Sequence, residues 1–498
     1  LDDTDSDIQV PNDINSFLWG QYVVPTEGGV WQKSNWQNIR NINYFMTHYQ
    51  SVQAAEADVN IYVAEMRFFR ALEYFNKIQL LGDVPWLEVD LNVDSEELYG
   101  PKMKRNQVFQ KIIEDLDFAI QWLPEAGSEE ANRLNKDIAR HVKARFCLNE
   151  GTHYKYHDEL EYASEAEKWL QMAATESDKL ITSGRYEIYN TGHPQEDYFN
   201  MYRIDDKSDL KEAVLYVDYK TNIREHNMAA AGREAGCGFS KSFVESFLCS
   251  DGLPISLSNK YLGDETMRKE TANRDPRLKQ LILTNDFPTN VTDDLKDSTF
   301  VVNEDEFITQ HCFTGYRPIK GFNPIYSQAL YMKSSFDGIA YRYAETLLIN
   351  AEAKAELNTI TDADLDRTIN QLRDRVGMPH LTVNVGFTDP KWPDWGYSLS
   401  PILQEIRRER CIELAGEGFR FNDLKRWKAG KVLNNVLTYV GKRKPDGNLA
   451  IVYPNYTNPD LSYQAGKSRT WEDKMYLYPI PTGELQRNPQ LLPQNPGW

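Results

Sequence analysis

The 498-residue sequence predicts a mostly α protein, a tetratricopeptide-like helical-repeat scaffold carrying an irregular, loop-rich subdomain with a few short strands. Three observations lead there. Apolar residues recur at steps of three and four over two long blocks of the chain, the spacing of a helix face. The helices so marked are about 12–20 residues long and joined by short turns, the material of antiparallel helix pairs. Between the blocks, Gly, Pro, Asn and Asp crowd into turn signals instead.

The first block has helical spacing at 35–53, 58–81, 105–122, 136–150 and 162–182. In 58–81 the stripe is Ile61, Ala64, Phe68, Ala71, Phe75 and Ile78, with Arg67 and Arg70 embedded beside it. Gly82, followed by Asp83, Val84 and Pro85, stops that helix. The residues EGT at 150–152 are expected to end the helix begun at 136. EAVLYVDYK (212–220) alternates like a short strand, and 221–339 reads as irregular structure with turn signals SDGLP, NRDPRL and FNPIY. Helical spacing returns at 340–357, 363–376, 400–416 and 419–429, interrupted by a loop at 383–400. The proline-rich tail, 476–498, is expected to run extended. No strict 34-residue self-similarity is present, so the repeats are degenerate. The expected organisation is an N-terminal helical block at 1–220, a central ligand-binding region at 221–339, and a C-terminal block with its tail at 340–498, packed with the first block as one unit.

Apolar residues make up 41% of the chain and charged residues 26%, enough for a sizeable core in a folded protein. The formal charge of -18 repels phosphate and anionic headgroups, which argues against nucleic acid as a partner. Five widely spaced cysteines (Cys147, Cys237, Cys249, Cys312 and Cys411) form no CxxC and are read as buried free thiols. The polar start LDDTDSDIQVPND has neither a signal peptide nor an initiator Met, as expected of a mature or trimmed chain.

The densest charge pattern is EIRRERCIELAGEGFRFNDLKRW, 405–427. Glu409, Glu413 and Glu417 lie one turn apart, with Arg410, Arg420 and Asp423 close in sequence. Two such carboxylates could be the acid and base of a glycosidase. An arginine beside each would instead depress its pKa, so an ionic network fixing a helix hairpin is the preferred reading. His153 and His157, four apart, lack a third ligand at HExxH spacing, and no metal is expected. No GxSxG, P-loop or dinucleotide GxGxxG occurs, so no cofactor is expected.

Eight segments, taken in order, carry a family resemblance. AEMRFFRALEYFNKIQLLGDVPW (64–86), IIEDLDFAIQWLP (112–124) and KARFCLNEGTHYKYH (143–157) are followed by DGLPIS (251–256) with NRDPRL (273–278). RYAETLLINAEAKAEL (342–357), IRRERCIELAGEGFRFNDLKRW (406–427) and YLYPIP…NPQLLPQNPGW (476–498) complete the set. Together they resemble the SusD/RagB-like family of surface glycan-binding lipoproteins of Bacteroidetes, over nearly all of the chain after about residue 35. The resemblance implies a non-catalytic protein that captures oligosaccharides or polysaccharide fragments and delivers them to a SusC-like TonB-dependent transporter. It implies an outer-membrane, surface-exposed, lipid-anchored location, with the anchor cysteine outside this chain. The long aromatic helix would belong to the packed face that docks on the transporter. Family members usually carry a longer region before the first long helix, whereas here only 35 residues precede Trp36.

Sugars are held by stacking on Trp or Tyr and by hydrogen bonds from polar side chains, on exposed loops. Three loop clusters qualify. The first is Trp19, Tyr22 and Trp31 with Asn35. The second runs through His226, Arg233, Phe239, Tyr316, Arg317 and Tyr326. The third is Trp392, Asp394, Trp395 and Tyr397. The family resemblance implies a platform combining the early and central loops; the third cluster is read from this sequence alone. Two other functions are compatible with the composition: an acidic helical glycoside hydrolase, and a helical scaffold that binds peptide or protein.

Overall fold

The computed structural model describes residues 3–13, 15–128, 132–231, 236–451 and 469–498. The chain falls into two compact units, neither of them a continuous stretch. One is Leu1–Gly20 with Ser177–Trp471, and the other is Gln21–Glu176 with Glu472–Trp498.

The second unit is built from consecutive helices. Gln37–His48 packs on Glu56–Leu81, which packs on Arg105–Trp122, which packs on Lys136–Tyr156. Aromatic rings fill the space between them. Phe75 stacks on Phe146 with centroids 3.6 Å apart, and Phe109 meets Trp169 edge to face at 4.8 Å. The arginines inside the long helix have partners. Arg70 donates twice to Asp115 at 2.7 Å, and Arg67 lies over the Phe118 ring at 4.1 Å. Arg105 and Glu150 make a second buried pair, joining the next two helices.

Gly82 ends the long helix with φ +72°, and a Cβ there would come within 2.9 Å of Leu477. After it, Asp83 accepts the Arg105 backbone N–H and Val84 pairs with Met103, so the GDVP turn re-aims the chain into the following helix. The helix begun at Lys136 does not stop at EGT; it runs to Tyr156. Gly151 continues it because this face lies against Leu170, where a Cβ would find atoms at 2.9 Å.

The first unit holds the predicted C-terminal helices. Tyr343–Glu356 and Pro401–Glu413 pack together. The stretch read as 363–376 is divided into Asp362–Asp366 and Ile369–Arg375. Ser400 caps Pro401–Glu413 by accepting the Leu403 N–H, with Pro401 in the first turn where its missing N–H is harmless. The strand predicted at 212–220 is Ala213–Val217, paired antiparallel with Gly338–Arg342. The polar start forms a strand as well: Gln9–Pro11 pairs with Cys237–Phe239. Around these lies a core of Phe239, Phe243, Phe247, Leu278, Tyr316 and neighbouring apolar residues. All five cysteines are free and buried. In the tail, Thr482–Arg487 forms a short helix between extended stretches. The architecture is mostly α with short strands, as the periodicity indicates. No helix among the described residues is long and apolar enough to cross a membrane.

Gly441, in the strand Val440–Arg443, is a point of close backbone approach. A Cβ there would sit 2.0 Å from the Thr314 carbonyl oxygen, which accepts the Lys442 N–H. Gly441→Ala is therefore expected to lower stability by about 1–3 kcal/mol or more, measured as a shift in the denaturant midpoint. An unchanged midpoint would show that the strand and the Thr314 turn separate without cost.

Candidate functional site

The first unit contains a cavity of about 500 Å³. Four segments wall it: 242–246, 389–396, 404–411 and 431–438, with Asp7, Ile8 and Arg420 contributing from elsewhere in the chain. Its size falls within the range of small-molecule sites, roughly 300–1,000 Å³.

The 389–396 loop is shaped by its own hydrogen bonds. Asp389 accepts the Lys391 N–H and takes 2.6 Å and 2.8 Å contacts from Arg408 and Ser256, anchoring the loop's start. Asp394 accepts the Gly396 N–H, and Gly396 turns the chain with φ +83°. The Trp392 indole N–H donates to Glu405 at 2.7 Å, leaving the ring half-exposed along the wall. Burial raises the Glu405 carboxyl even though Arg408 and the Trp392 N–H pull it down.

Trp395 is only 4% exposed. It donates to Gln404 at 2.6 Å and stands edge-on to Trp427, with Arg407 over its face at 5.0 Å. This corrects the expectation that Trp395 is a free loop ring: it forms part of the cavity wall but is fixed by the protein's own stacking. Tyr397 is likewise engaged, between Arg407 and the Trp427 carbonyl.

The charged lining residues are largely paired. Asp7 accepts both N–H groups of a bidentate Arg420 contact at 2.8 Å. Glu245 meets Lys391 at 2.8 Å, and Arg407 donates to Glu356 at 3.1 Å. Lys431 and Asn435 are exposed members of the lining.

The remaining predicted positions are distributed differently. Trp19 belongs to the first unit, half-buried and edge-on to Tyr439 at 5.5 Å. Tyr22, Trp31 and Asn35 belong to the second. There Tyr22 packs edge-on against Tyr478 and Trp498, and Trp31 lies at 5.1 Å from Trp36. Asn35 holds the local turn by donating to the Val30 carbonyl, while its own carbonyl accepts from Lys77.

In the central block, Phe239 and Tyr316 are completely buried, so neither presents a surface to ligand; both are corrections to the loop reading. Phe239 is drawn in by its strand pairing with Gln9, and the Tyr316 hydroxyl donates to Glu270 at 2.8 Å. His226 is locked between Tyr219 and Phe336, with burial lowering its pKa. Arg317 is half-buried, its carbonyl accepting the Leu283 N–H, and Tyr326 is exposed. Arg233 lies outside the described residues.

The carboxylates considered for catalysis form an ionic network. Glu413 accepts from Arg342 at 2.7 Å, Arg375 at 2.6 Å and Arg277 at 3.0 Å. Burial alone would raise its carboxyl, but Arg375, Arg342 and Arg277 outweigh it and hold the group well below the ordinary range. Glu409 meets Arg277 and Arg373, and Glu417 meets Arg342 and Lys320. His153 and His157 face each other at 4.1 Å, and among the described residues no cluster of three or more potential ligands could hold a metal.

Sequence reasoning missed Asp7, Ser242, Glu245, Lys431 and Asn435 as parts of the cavity. They lie in segments far apart along the chain, and none of them forms a local motif.

Comparison with known proteins agrees with the architecture. SusD-like protein P2 of Formosa agariphila is 24% identical over 456 residues, spanning 89% of this chain and 75% of that protein. A SusD-like protein of Bacteroides fragilis superposes with a TM-score of 0.74 at 23% identity, covering 100% of this chain and 93% of that one. A second from the same organism, described as a SusD-like carbohydrate-binding protein, superposes at 0.72 with 21% identity, over 98% and 92% of the two chains. The profile of the SusD family matches residues 181–498, well over half of the sequence, and the protein is a member of that family.

Proposed function

We propose that the protein binds oligosaccharides or polysaccharide fragments at the cell surface and passes them to a SusC-like, TonB-dependent transporter of the outer membrane, where it is held by a lipid anchor. The observation that carries the binding half is the convergence of Trp392, Asp394 and Trp395 on one cavity in a chain of this family. A half-exposed indole gives a flat apolar face for a sugar ring, and Asp394, Gln404 and Asn435 offer hydrogen bonds around it. The carbohydrate-binding description of the second Bacteroides fragilis protein supports the same reading. The early-loop rings Trp19, Tyr22 and Trp31 with Asn35 remain candidates for further sugar contacts.

Charge pairing supports binding without catalysis: Asp7, Glu245 and Asp389 each sit against a basic side chain, Arg420, Lys391 and Arg408 respectively. For the transporter, support comes from the helix Glu56–Leu81, whose Tyr62 and Phe69 lie seven residues apart and stay exposed. Two exposed aromatic rings on one helix face offer apolar area for such a contact.

Affinity electrophoresis against plant and host polysaccharides tests the reading. The parent protein is expected to be retarded by a subset of them without releasing reducing ends. Trp392→Ala is expected to weaken that retardation about tenfold, the effect of losing one stacked ring. A folded Trp392→Ala protein that binds as the parent does would place the site elsewhere.

A further inference from the structure

The loop that carries Trp392 is fastened to the helix Pro401–Glu413 by three side-chain contacts in regular order. Asp389 accepts from Arg408 at 2.6 Å, Glu405 accepts the Trp392 indole N–H at 2.7 Å, and Gln404 accepts the Trp395 indole N–H at 2.6 Å. Along the loop these positions rise, 389, 392, 395, while along the helix they fall, 408, 405, 404.

The outer two contacts belong to the frame. Asp389 is also held by Ser256 at 2.8 Å, Arg408 by the Ser246 carbonyl at 3.3 Å, and Trp395 is closed in by Trp427 and Arg407. The middle contact acts on a different kind of side chain. Trp392 is half-buried, and its ring meets that of Phe387 only at a centroid distance of 6.1 Å. The last torsion of a tryptophan is broad unless something fixes it. Here the N–H contact to Glu405 fixes it.

Glu405 itself does not move with solvent: it is 0% exposed and sits within a helix. Its Oε1 takes both the Trp392 N–H and Arg408, the latter at 3.3 Å. Its Oε2 is buried with no hydrogen-bond partner among the described residues. A carboxylate oxygen left so is costly and calls for a reason. Holding the one half-exposed tryptophan of this loop in a set orientation is such a reason.

We infer that Glu405 is a positioning residue for glycan binding, presenting the Trp392 ring in the orientation the ligand meets, so that binding does not have to order that side chain. The inference rests on the proposal that this cavity is the carbohydrate site.

The geometry says which substitutions matter. Glu405→Gln keeps an acceptor at Oε1 and should bind as the parent does, because the second oxygen has no donor to lose. Glu405→Leu removes the acceptor, and Trp392→Phe keeps a flat ring but removes the donor. Each should weaken binding about fivefold, less than the loss of about tenfold expected of Trp392→Ala. Trp392→Phe combined with Glu405→Leu should bind no worse than Trp392→Phe alone, since the ring then has no N–H to hold. The full chain is used, with laminarin, xyloglucan, amylopectin and galactomannan as probes in affinity electrophoresis. A second readout needs no ligand. Solvent exchange of the Trp392 indole N–H, identified in the NMR spectrum by its loss in Trp392→Phe, should be slow in the parent and in Glu405→Gln and fast in Glu405→Leu.

Additive losses in the double variant overturn the positioning role and leave the carbohydrate site standing. So does undiminished binding by Glu405→Leu and Trp392→Phe while Trp392→Ala still weakens it. Should Glu405→Leu fail to fold, parental binding by Trp392→Phe overturns the role on its own. Binding indifferent to every substitution, Trp392→Ala included, or absent for every probe, overturns the site itself.

Discussion

Glu413→Ala is expected to destabilise the first unit by about 3–5 kcal/mol, the cost of breaking a buried ion pair from one side. Glu413 is fully buried and accepts from three arginines on three separate segments, Arg277, Arg342 and Arg375. Removing it leaves Arg375 with Glu212 at 3.5 Å as its remaining acid, and Arg342 with Glu212 and Glu417. Uncompensated guanidinium charge then stays in a medium that cannot solvate it. Denaturant titration of parent and variant measures the loss, and equal midpoints would show that the network is not energetically coupled to the fold.

The pH dependence has a definite sign. Because the folded carboxyl is depressed below its ordinary value of 4.5, its stabilising contribution is complete above that pH and is lost progressively as pH falls below it. The parent should therefore lose stability more steeply than Glu413→Ala on acidification below pH 4.5.

Phe109→Ala is expected to cost the second unit about 3–5 kcal/mol through a cavity that the helices cannot close. Phe109 is fully buried, edge-on to Trp169 at 4.8 Å and within 6.3 Å of Phe75, which itself stacks on Phe146. The ring thus meets aromatic residues of two other helices at once, and neither helix can shift to fill the gap without opening another contact. Thermal unfolding followed by circular dichroism reads the effect. Phe109→Leu, which retains most of the volume, should recover more than half of it; a variant pair with equal losses would argue for strain rather than cavity formation.

Most of the helical fold is legible in the sequence because helix formation here follows a local rule. The stripe from Ile61 to Ile78 lies in the helix Glu56–Leu81, and Gly82 ends it. The spacing of Glu409 and Glu413 with nearby arginines correctly indicates an ionic network, because residues one turn apart share a face; Glu417 joins the network from beyond the end of the helix Pro401–Glu413. The sequence does not show which arginines answer them. Arg277 reaches Glu413 from 136 residues away.

The errors share a cause. The EGT segment carries a helix-breaking residue, yet Gly151 stays helical because Leu170 packs where a side chain would otherwise be. Phe239 and Tyr316 sit among turn signals that read as surface loop, but strand pairing with Gln9 and a hydrogen bond to Glu270 draw them into the core. Trp392 and Trp395 are three residues apart in the same loop, and composition cannot tell them apart. One is half-exposed along the cavity wall, while the other is closed in by Trp427, Arg407 and Gln404. The sequence by itself determined where the helices run, because periodicity and stop signals act over a few neighbouring residues. Only the tertiary structure decided which aromatics face solvent and where a pocket opens, because burial depends on segments that meet from hundreds of residues apart.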